Sequence, residues 1–442
     1  MKVYNTLTKS LEEFTPIKKG EVKMYVCGPT VNDVPHLGHA RVQIIFDAFR
    51  KYLKFLEYKV KFVSNVTDIE DKIINKADEL KISIKELTEK NLKEHLDDYA
   101  ALGVDRPDVQ PRATEYVKEM IELVQALIDK GYTYSVEGDG IYYDVSKFKD
   151  YGKLSGINLC ELRSSRELKD ATKGQGKKDS KDFVLWKFSK VGEPSWKAKF
   201  GDGRPGWHIE CSAMTHTILG NPFDIHAGGQ DLIFPHHEDE IAQSEAGYGK
   251  KMCNYWMHNG MVNVDKVKMS KSLGNFKTIK DILKKYSGET IRYFILNNHY
   301  RKPMDFSEEK LDEAKTSLER LKRKVLELKD DEKSNEKSLG EFTKLMNEDF
   351  NTAGAINLLW KIVDSKDKGK VQTIKKIDEI FGFNLFEKEK IKIPKKVKDL
   401  LDKRKTAREN KDFKLSDELR DEIKSLGFEV KDAQGEQEIR KF

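Results

Sequence analysis

Residues 203–240, GRPGWHIECSAMTHTILGNPFDIHAGGQDLIFPHHEDE, concentrate the side chains that bind metals and move protons. Cys211, five His (208, 216, 226, 236 and 237), a Gly-Gly turn and an acidic run ending at Glu240 fall inside 38 residues. Pro235 suits the first turn of a helix, where its missing N–H costs nothing. A helix begun there sets His236 and Glu240 on one face, about one turn apart. Thiolate, imidazole and carboxylate are all good zinc ligands, and a site takes three or four of them. Cys211 supplies a third ligand if the chain folds back between it and Pro235, and Cys27 in YVCGPTVND is the candidate fourth. Periodicity does not choose between His236 and His237, because His237 stands three residues before Glu240. The plainer alternative is a polar helix terminus with two solvated histidines and a buried cysteine.

Other elements must bring these side chains together. Val22, Met24 and Val26 alternate as a strand whose end presents Cys27 and Gly28. A turn with Pro29 and Pro35 leads into HLGHARVQIIFDAFRKYLKF, where Val42, Ile45, Phe46, Phe49 and Leu53 recur every three or four residues. This is an amphipathic helix starting near His36. His36, Gly38 and His39 thus sit at a helix N-terminus after a strand. Free N–H groups and the helix dipole favour phosphate there, and a glycine lets the ligand come close. HxGH alone is equally compatible with a simple cap. KVKFVSNVTDIEDK repeats the strand, turn and helix, with Thr67 and Asp68 at the strand's end. The spacing predicts a right-handed βαβ unit and a parallel sheet with ligands at the strand C-termini.

Residues 75–130 read as mostly helical and charged. Gly131, Gly138 and Gly140 then punctuate short aromatic strands around Tyr132, Tyr134, Tyr142 and Tyr143. LKDATKGQGKKDSK, 168–181, has almost no apolar content and reads as a mobile loop or linker. DFVLWKFS and GEPSWKAKFGDGRPGW return to the sheet, so about 100–200 reads as an insertion between two halves of a nucleotide-binding domain. After the apolar strand WMHNGMVNV comes KMSKSLGNF, 268–276. Its Lys268, Lys271, Ser270 and Ser272 before Gly274 suit a flexible cationic loop for a transferring phosphate, where composition alone favours a surface turn. ETIRYFILNN, KLDEAKTSLERLKRKVLELK and FTKLMNEDFNTAGAINLLWKIV form an α-bundle, and a charged stretch, 363–376, joins it to further helices. Residues 391–410 carry eight Lys/Arg against three Asp/Glu, and one more helix, DFKLSDELRDEIKSLGF, follows. A solvated charged face explains that bias as readily as RNA does.

Composition sets outer limits. A length of 442 residues suggests roughly three domains. With 35% charged and 38% hydrophobic residues, a soluble protein is expected. No apolar run reaches the ~18 residues of a membrane span, and MKVYNTLTKS carries no signal segment. Cysteines 27, 160, 211 and 253 lack the spacing of a disulfide framework, which points to a reducing cytoplasm. The net charge of +6 leans mildly towards polyanionic partners.

Taken together, YVCGPTVNDVPHLGH, GRPGWHIECSAM, DIHAGGQDLIFPHHEDEIAQSEA and KMSKSLGNF stand in the order and spacing of one family. The chain resembles the cysteinyl-tRNA synthetases, a class I aminoacyl-tRNA synthetase group. The resemblance runs from about Tyr4 to the final residues and takes in NEDFNTAGAINLLW and RKTARENKDFKLSDELRDEIKSLGFEVKD. It implies an α/β fold with a Rossmann-type parallel-sheet catalytic domain over 1–250, carrying the insertion at about 100–200. A connecting segment with the KMSKS loop at 251–295, a helical tRNA-binding bundle at 296–390 and a small anticodon-recognition domain at 391–442 are expected to follow. The implied zinc ligands are Cys27, Cys211, His236 and Glu240. The HIGH signature reads His36-Leu37-Gly38-His39; KMSKS is intact at 268–272, with Lys271 expected on the ATP phosphates and Lys268 beside it. Gly229 and Asp231 match positions that meet the adenosine, and Gly28, Thr67, Trp207 and His226 match positions around the amino acid. Asn32 stands where the signature often has an aromatic, so repacking without loss of activity is expected. The tail near GEQEIRKF lacks the family's usual Trp.

The resemblance therefore implies L-cysteine, ATP with Mg²⁺ and tRNA-Cys as substrates, one Zn²⁺ per chain, and a cytoplasmic monomer with no membrane partner. Cysteine's carboxylate would attack the α-phosphorus of ATP, with positioning and charge stabilisation as the protein's main work. Zinc would answer a selectivity problem, since a soft thiolate binds it far better than serine's hydroxyl. A related ligase that joins activated cysteine to a small amine would have no use for the bundle and basic tail. A non-catalytic zinc protein that binds RNA would not need HLGH and KMSKS together.

Overall fold

The computed structural model describes residues 1–157, 176–268, 276–387, 394–433 and 436–441. Lys271 with the rest of the expected cationic loop up to Asn275, and most of the expected linker at 168–181, lie outside the described residues. The chain divides into two compact units, Met1–Leu385 and Phe386–Phe442.

In the first unit, hydrophobic periodicity builds a nucleotide-binding-type core. Strand β1 (Glu21–Val26) buries Val22, Met24, Tyr25 and Val26, helix α1 (Leu37–Phe55) follows, and strand β2 (Lys59–Ser64) returns beside β1 in parallel register. Later in the chain come helix α2 (Ile209–Leu219), strand β3 (Phe223–Gly229), helix α3 (Glu238–Tyr248) and strand β4 (Cys253–Asn259). The sheet runs β4-β3-β1-β2, every pair parallel, as expected from the strand–helix–strand pattern. All seven residues of β3 are buried, as a strand covered on both faces requires. Because the four strands are parallel, their C-terminal ends share one edge.

The chain between β2 and α2 holds helices Asp71–Leu80, Ile84–Ala101 and Val117–Asp129 and then a second sheet. The aromatic strands Thr133–Val136 and Gly140–Tyr143 pair antiparallel with each other, Gly140–Tyr143 pairs in turn with Phe183–Phe188, and that strand pairs with Gly203–Pro205. DFVLWKFS and GRP thus return to this antiparallel sheet and not to the parallel one. Met120, Leu123, Tyr143, Leu185 and Trp186 from this region share a core with Ile209 and Ala213 of α2 and Ala242 of α3. The insertion therefore packs directly on the helices that follow it.

Helices Gly288–Leu296, Glu308–Leu326, Glu336–Met346, Thr352–Asp364 and Lys370–Phe381 form the helical region. Most of the charged stretch 363–376 is helix and not a connector. Val371, Ile374, Ile377 and Phe381 supply a buried stripe beneath its charged face, and Gly369 at φ +77° makes the break before it. Among the described residues of the second unit are two helices, Lys395–Glu409 and Phe413–Ser425, and the antiparallel strands Phe428–Ala433 and Glu436–Lys441. Val397, Leu400, Leu419, Ile423, Phe428 and Val430 make its core. The reading of one helix there missed Lys395–Glu409, whose buried positions include a charged residue, Arg404, paired with Asp432 at 2.9 Å. Among the described residues no helix is long and apolar enough to cross a membrane.

Candidate active site

Cys27 follows β1 directly, and its N–H donates to Ala227 of β3 at 3.0 Å, so its thiol sits at the seam of two strand ends. The first turn of α2 delivers Cys211. Helix α3 begins at Glu238, three residues later than Pro235, because Phe234 is extended (φ −138°, ψ 131°) and Pro235–His237 form an irregular turn. His236 still reaches Glu240, with Nε2 3.0 Å from Oε1. Cys27 Sγ lies 4.0 Å from Cys211 Sγ and 3.7 Å from Glu240 Oε1. One ligand atom from each of these four buried residues lies within 4.8 Å of all the others. Tetrahedral zinc, with bonds of about 2.0–2.3 Å, spaces its ligand atoms by roughly 3.3–3.8 Å, so the donor set and its spacing both fit a metal.

A second set, Cys27, His226, His237 and Glu240, meets the same measure. His237 Nε2 is 3.2 Å from Cys27 Sγ, and His226 Nε2 is 2.8 Å from Glu240 Oε2. His236 and His237 therefore address the same thiol–carboxylate pair, each with a different companion.

Electrostatics favours a cation here. Burial pushes the Cys27 thiol well above its usual range, and the neighbouring Cys211 and Glu240 push it further. Burial also opposes ionisation of Cys211, but Cys27 and His236 outweigh it and bring its pKa down to about 6. Glu240 is likewise penalised by burial, yet His226 and His236 hold it near about 2. Burial drives His237 well below the usual histidine range, leaving a neutral ring with a lone pair to give. Buried anions of this kind persist only when paired with cations or metals.

At the N-terminus of α1, His36 is the cap. Its Nδ1 accepts the Gly38 N–H at 3.0 Å, its own N–H donates to His39 Nδ1 at 3.3 Å, and the two rings stack 3.9 Å apart. Gly38 thus lies in the first turn, where backbone N–H groups point outward. At the end of β3, a Cβ on Gly229 would lie 2.4 Å from Asp231 Oδ1 and 4.0 Å from Val42 of α1, so this turn borders the helix. Asp231 itself is exposed.

Gly28 and Thr67 continue the β1–β2 seam. Gly28 N–H donates to Asn65 Oδ1 at 2.7 Å, and Thr67 N–H to the Pro29 carbonyl at 3.1 Å. Thr67 Oγ1 hydrogen-bonds Glu210. A Cβ on Gly28 would stand 1.6 Å from the Asn65 carbonyl oxygen. Gly28→Ala must therefore part the two strand ends. The expected cost is about 1–3 kcal/mol of stability, checked by thermal unfolding. Half-buried Trp207 stacks on His236 at 4.4 Å, and buried His226 stacks on Trp256 at 4.4 Å. Of KMSKS, Lys268 closes the short strand Val267–Lys268, while Lys271 lies outside the described residues.

Reading the sequence missed several neighbours. His95 packs against His39 at 5.3 Å, and burial lowers its pKa to about 4. His258 meets His237 Nδ1 at 2.7 Å and Thr6 Oγ1 at 2.8 Å, and Glu210 and Asp239 are buried beside the cluster. WMHN, which carries His258, was legible as a strand, but its place beside β3 was not.

Comparison with known proteins places the chain in a family. Residues 13–316 match the family model of the tRNA synthetases class I (C) catalytic domain, and residues 392–440 match the cysteinyl-tRNA ligase anticodon binding domain. The chain is 46% identical to the cysteine–tRNA ligase of Thermococcus onnurineus, over 98% of this chain and 97% of that one. It is 43% identical to the cysteine–tRNA ligase of Fusobacterium nucleatum, over 98% of each. A methionyl-tRNA synthetase of Mycobacterium tuberculosis solved with methionyl-adenylate shares the fold, with a TM-score of 0.58 at 15% identity over 82% of this chain and 90% of that one. These matches cover nearly the whole chain, and the chain belongs to the cysteine–tRNA ligase family.

Proposed function

We propose that this chain activates L-cysteine with ATP to give cysteinyl-adenylate and pyrophosphate, and transfers the cysteinyl group to the 3′ end of tRNA-Cys. The observation that carries this reading is the buried Cys27–Cys211–His236–Glu240 cluster at the strand edge, with Trp207 stacked on His236. Serine differs from cysteine by one atom, and shape alone separates such analogues by only about 10–200-fold. Cys27, Cys211, His236 and Glu240 would hold Zn²⁺, which when bound supplies a soft acid that prefers a thiolate to a hydroxyl. Gly28, Thr67, Trp207 and His226 form the walls around cysteine, Trp207 by its ring face and Thr67 by a hydroxyl held by Glu210.

His36, Gly38 and His39 present α1's N-terminus to the ATP phosphates, where the dipole favours negative charge. Gly229 lets the adenosine approach, and Asp231 accepts hydrogen bonds from ribose hydroxyls. Cysteine's carboxylate then attacks the α-phosphorus and pyrophosphate leaves, while His36, His39, Lys268 and Lys271, with Mg²⁺, meet the growing charge. In the second step a terminal ribose hydroxyl of tRNA attacks the adenylate's carbonyl carbon and AMP leaves. The anticodon-binding match of residues 392–440 supports tRNA as acceptor over a small amine.

Cysteine-dependent ATP–pyrophosphate exchange, followed by charging of purified tRNA-Cys, tests the proposal. Exchange indifferent to cysteine would end it. Deleting 391–442 should leave exchange within about twofold while charging falls by 100-fold or more, since adenylate chemistry belongs to the first unit and phosphate contacts to the basic second one. Charging at the full-length rate would make the tail a structural cap.

A further inference from the structure

His236 is gripped on the side away from Glu240. Its Nε2 faces Glu240 Oε1 at 3.0 Å, and its Nδ1 meets His208 Nδ1 at 2.9 Å. One of those two Nδ1 atoms must carry the proton. If Nε2 gives its lone pair to a metal, the single ring proton of neutral His236 sits on Nδ1, and His208 Nδ1 is the acceptor. His208 then carries its own proton on Nε2, 3.4 Å from Asp239 Oδ2. That oxygen is buried and has no hydrogen-bond partner among the described residues, so the 3.4 Å approach of His208 Nε2 is a contact at ion-pair range and not a formed hydrogen bond. The other oxygen of Asp239 accepts the Tyr151 hydroxyl. The row Tyr151–Asp239–His208–His236 therefore has one consistent set of protons, and it ends with a lone pair facing Cys211, Cys27 and Glu240.

Tyr151 lies in the insertion, and the residues after it also hold α3. Leu154 and Ser155 N–H groups donate to Glu238 at 3.3 and 2.8 Å, and Lys153 Nζ pairs with Glu245 at 2.5 Å. Tyr151, Leu154, Glu238 and Asp239 are all buried, so this clasp is part of the core.

Resting on the reading of Cys27, Cys211, His236 and Glu240 as a metal site, we propose that His208 is a positioning residue for His236. It fixes the ring's orientation and tautomer, and Asp239, held by Tyr151, fixes His208. Partners behind a ligand typically contribute ~10–100-fold to metal affinity. The insertion thereby helps to build the metal centre without contributing a ligand to it.

The test is Zn²⁺ affinity by chelator competition, with Co²⁺ visible spectra alongside, on the full chain and three variants. His208→Leu removes the acceptor at similar volume, and His208→Gln keeps an acceptor oxygen. Tyr151→Phe keeps the ring and removes the hydroxyl. We expect His208→Leu to weaken Zn²⁺ binding ~10–100-fold and to shift the Co²⁺ bands, with His208→Gln recovering most of the loss. Tyr151→Phe should lose affinity in the same direction, by several-fold. Wild-type affinity in His208→Leu, or equal loss in the Leu and Gln variants, overturns the proposal while leaving the metal site intact. A wild-type chain that binds neither ion overturns the metal reading and this proposal together. Should His208→Leu fail to fold, Tyr151→Phe decides, and affinity indistinguishable from wild type counts against the relay.

Discussion

Cys211→Ser is expected to strip the chain of tightly held metal and to abolish nearly all cysteine activation. Cys211 is the one thiol of the cluster whose surroundings ionise it, at a pKa of about 6 against the opposing effect of burial. A serine hydroxyl in its place stays protonated and is a poor ligand for a soft or borderline ion. The remaining Cys27, His236 and Glu240 then offer only three ligands, and the Cys27 thiol is one whose ionisation burial opposes. Metal affinity should fall by more than the ~10–100-fold typical of losing a partner behind a ligand. Cysteine-dependent exchange should fall with it. Elemental analysis after dialysis against a chelator, paired with exchange rates, checks both. Full metal content with normal exchange would contradict the ligand assignment.

Lys271→Ala is expected to lower kcat for exchange by about 100-fold or more, with a smaller change in KM for ATP. Removing one well-placed electrostatic group from a transition state costs ~10²–10³ in kcat in the best-studied cases. A lysine that meets a departing pyrophosphate interacts most strongly once charge has built up on the leaving group, which is the condition for an effect on kcat. Steady-state exchange over a range of ATP and cysteine concentrations separates the two parameters. A change confined to KM would make Lys271 a ground-state anchor only.

Much of the parallel core was legible because its signals are local. Alternation in Val22, Met24 and Val26 and the three-to-four spacing from Val42 to Leu53 gave β1 and α1 with the His36 boundary one residue from the observed helix start. The i, i+4 relation of His236 and Glu240 survived a later helix start, since the turn before α3 keeps both side chains on the cluster. What was not legible depends on which strands become neighbours. The second ligand set needs β3 between β1 and β4, so that His226 lies beside Tyr25 and Trp256. No local spacing encodes that order. Lys395–Glu409 and Lys370–Phe381 were hidden for another reason. Lys395–Glu409 has a narrow buried stripe that includes Arg404, and Lys370–Phe381 sets lysines beside its apolar positions, so charge masked the period.

The most direct test of the central claim is a Co²⁺-loaded full chain titrated with L-cysteine and, separately, with L-serine in the absence of ATP. If cysteine is chosen through its thiolate at the metal, cysteine should add a saturable thiolate-to-cobalt absorption band while serine leaves the spectrum unchanged. A spectrum that responds to neither amino acid, in a chain that still exchanges pyrophosphate with cysteine, would contradict selection at the metal.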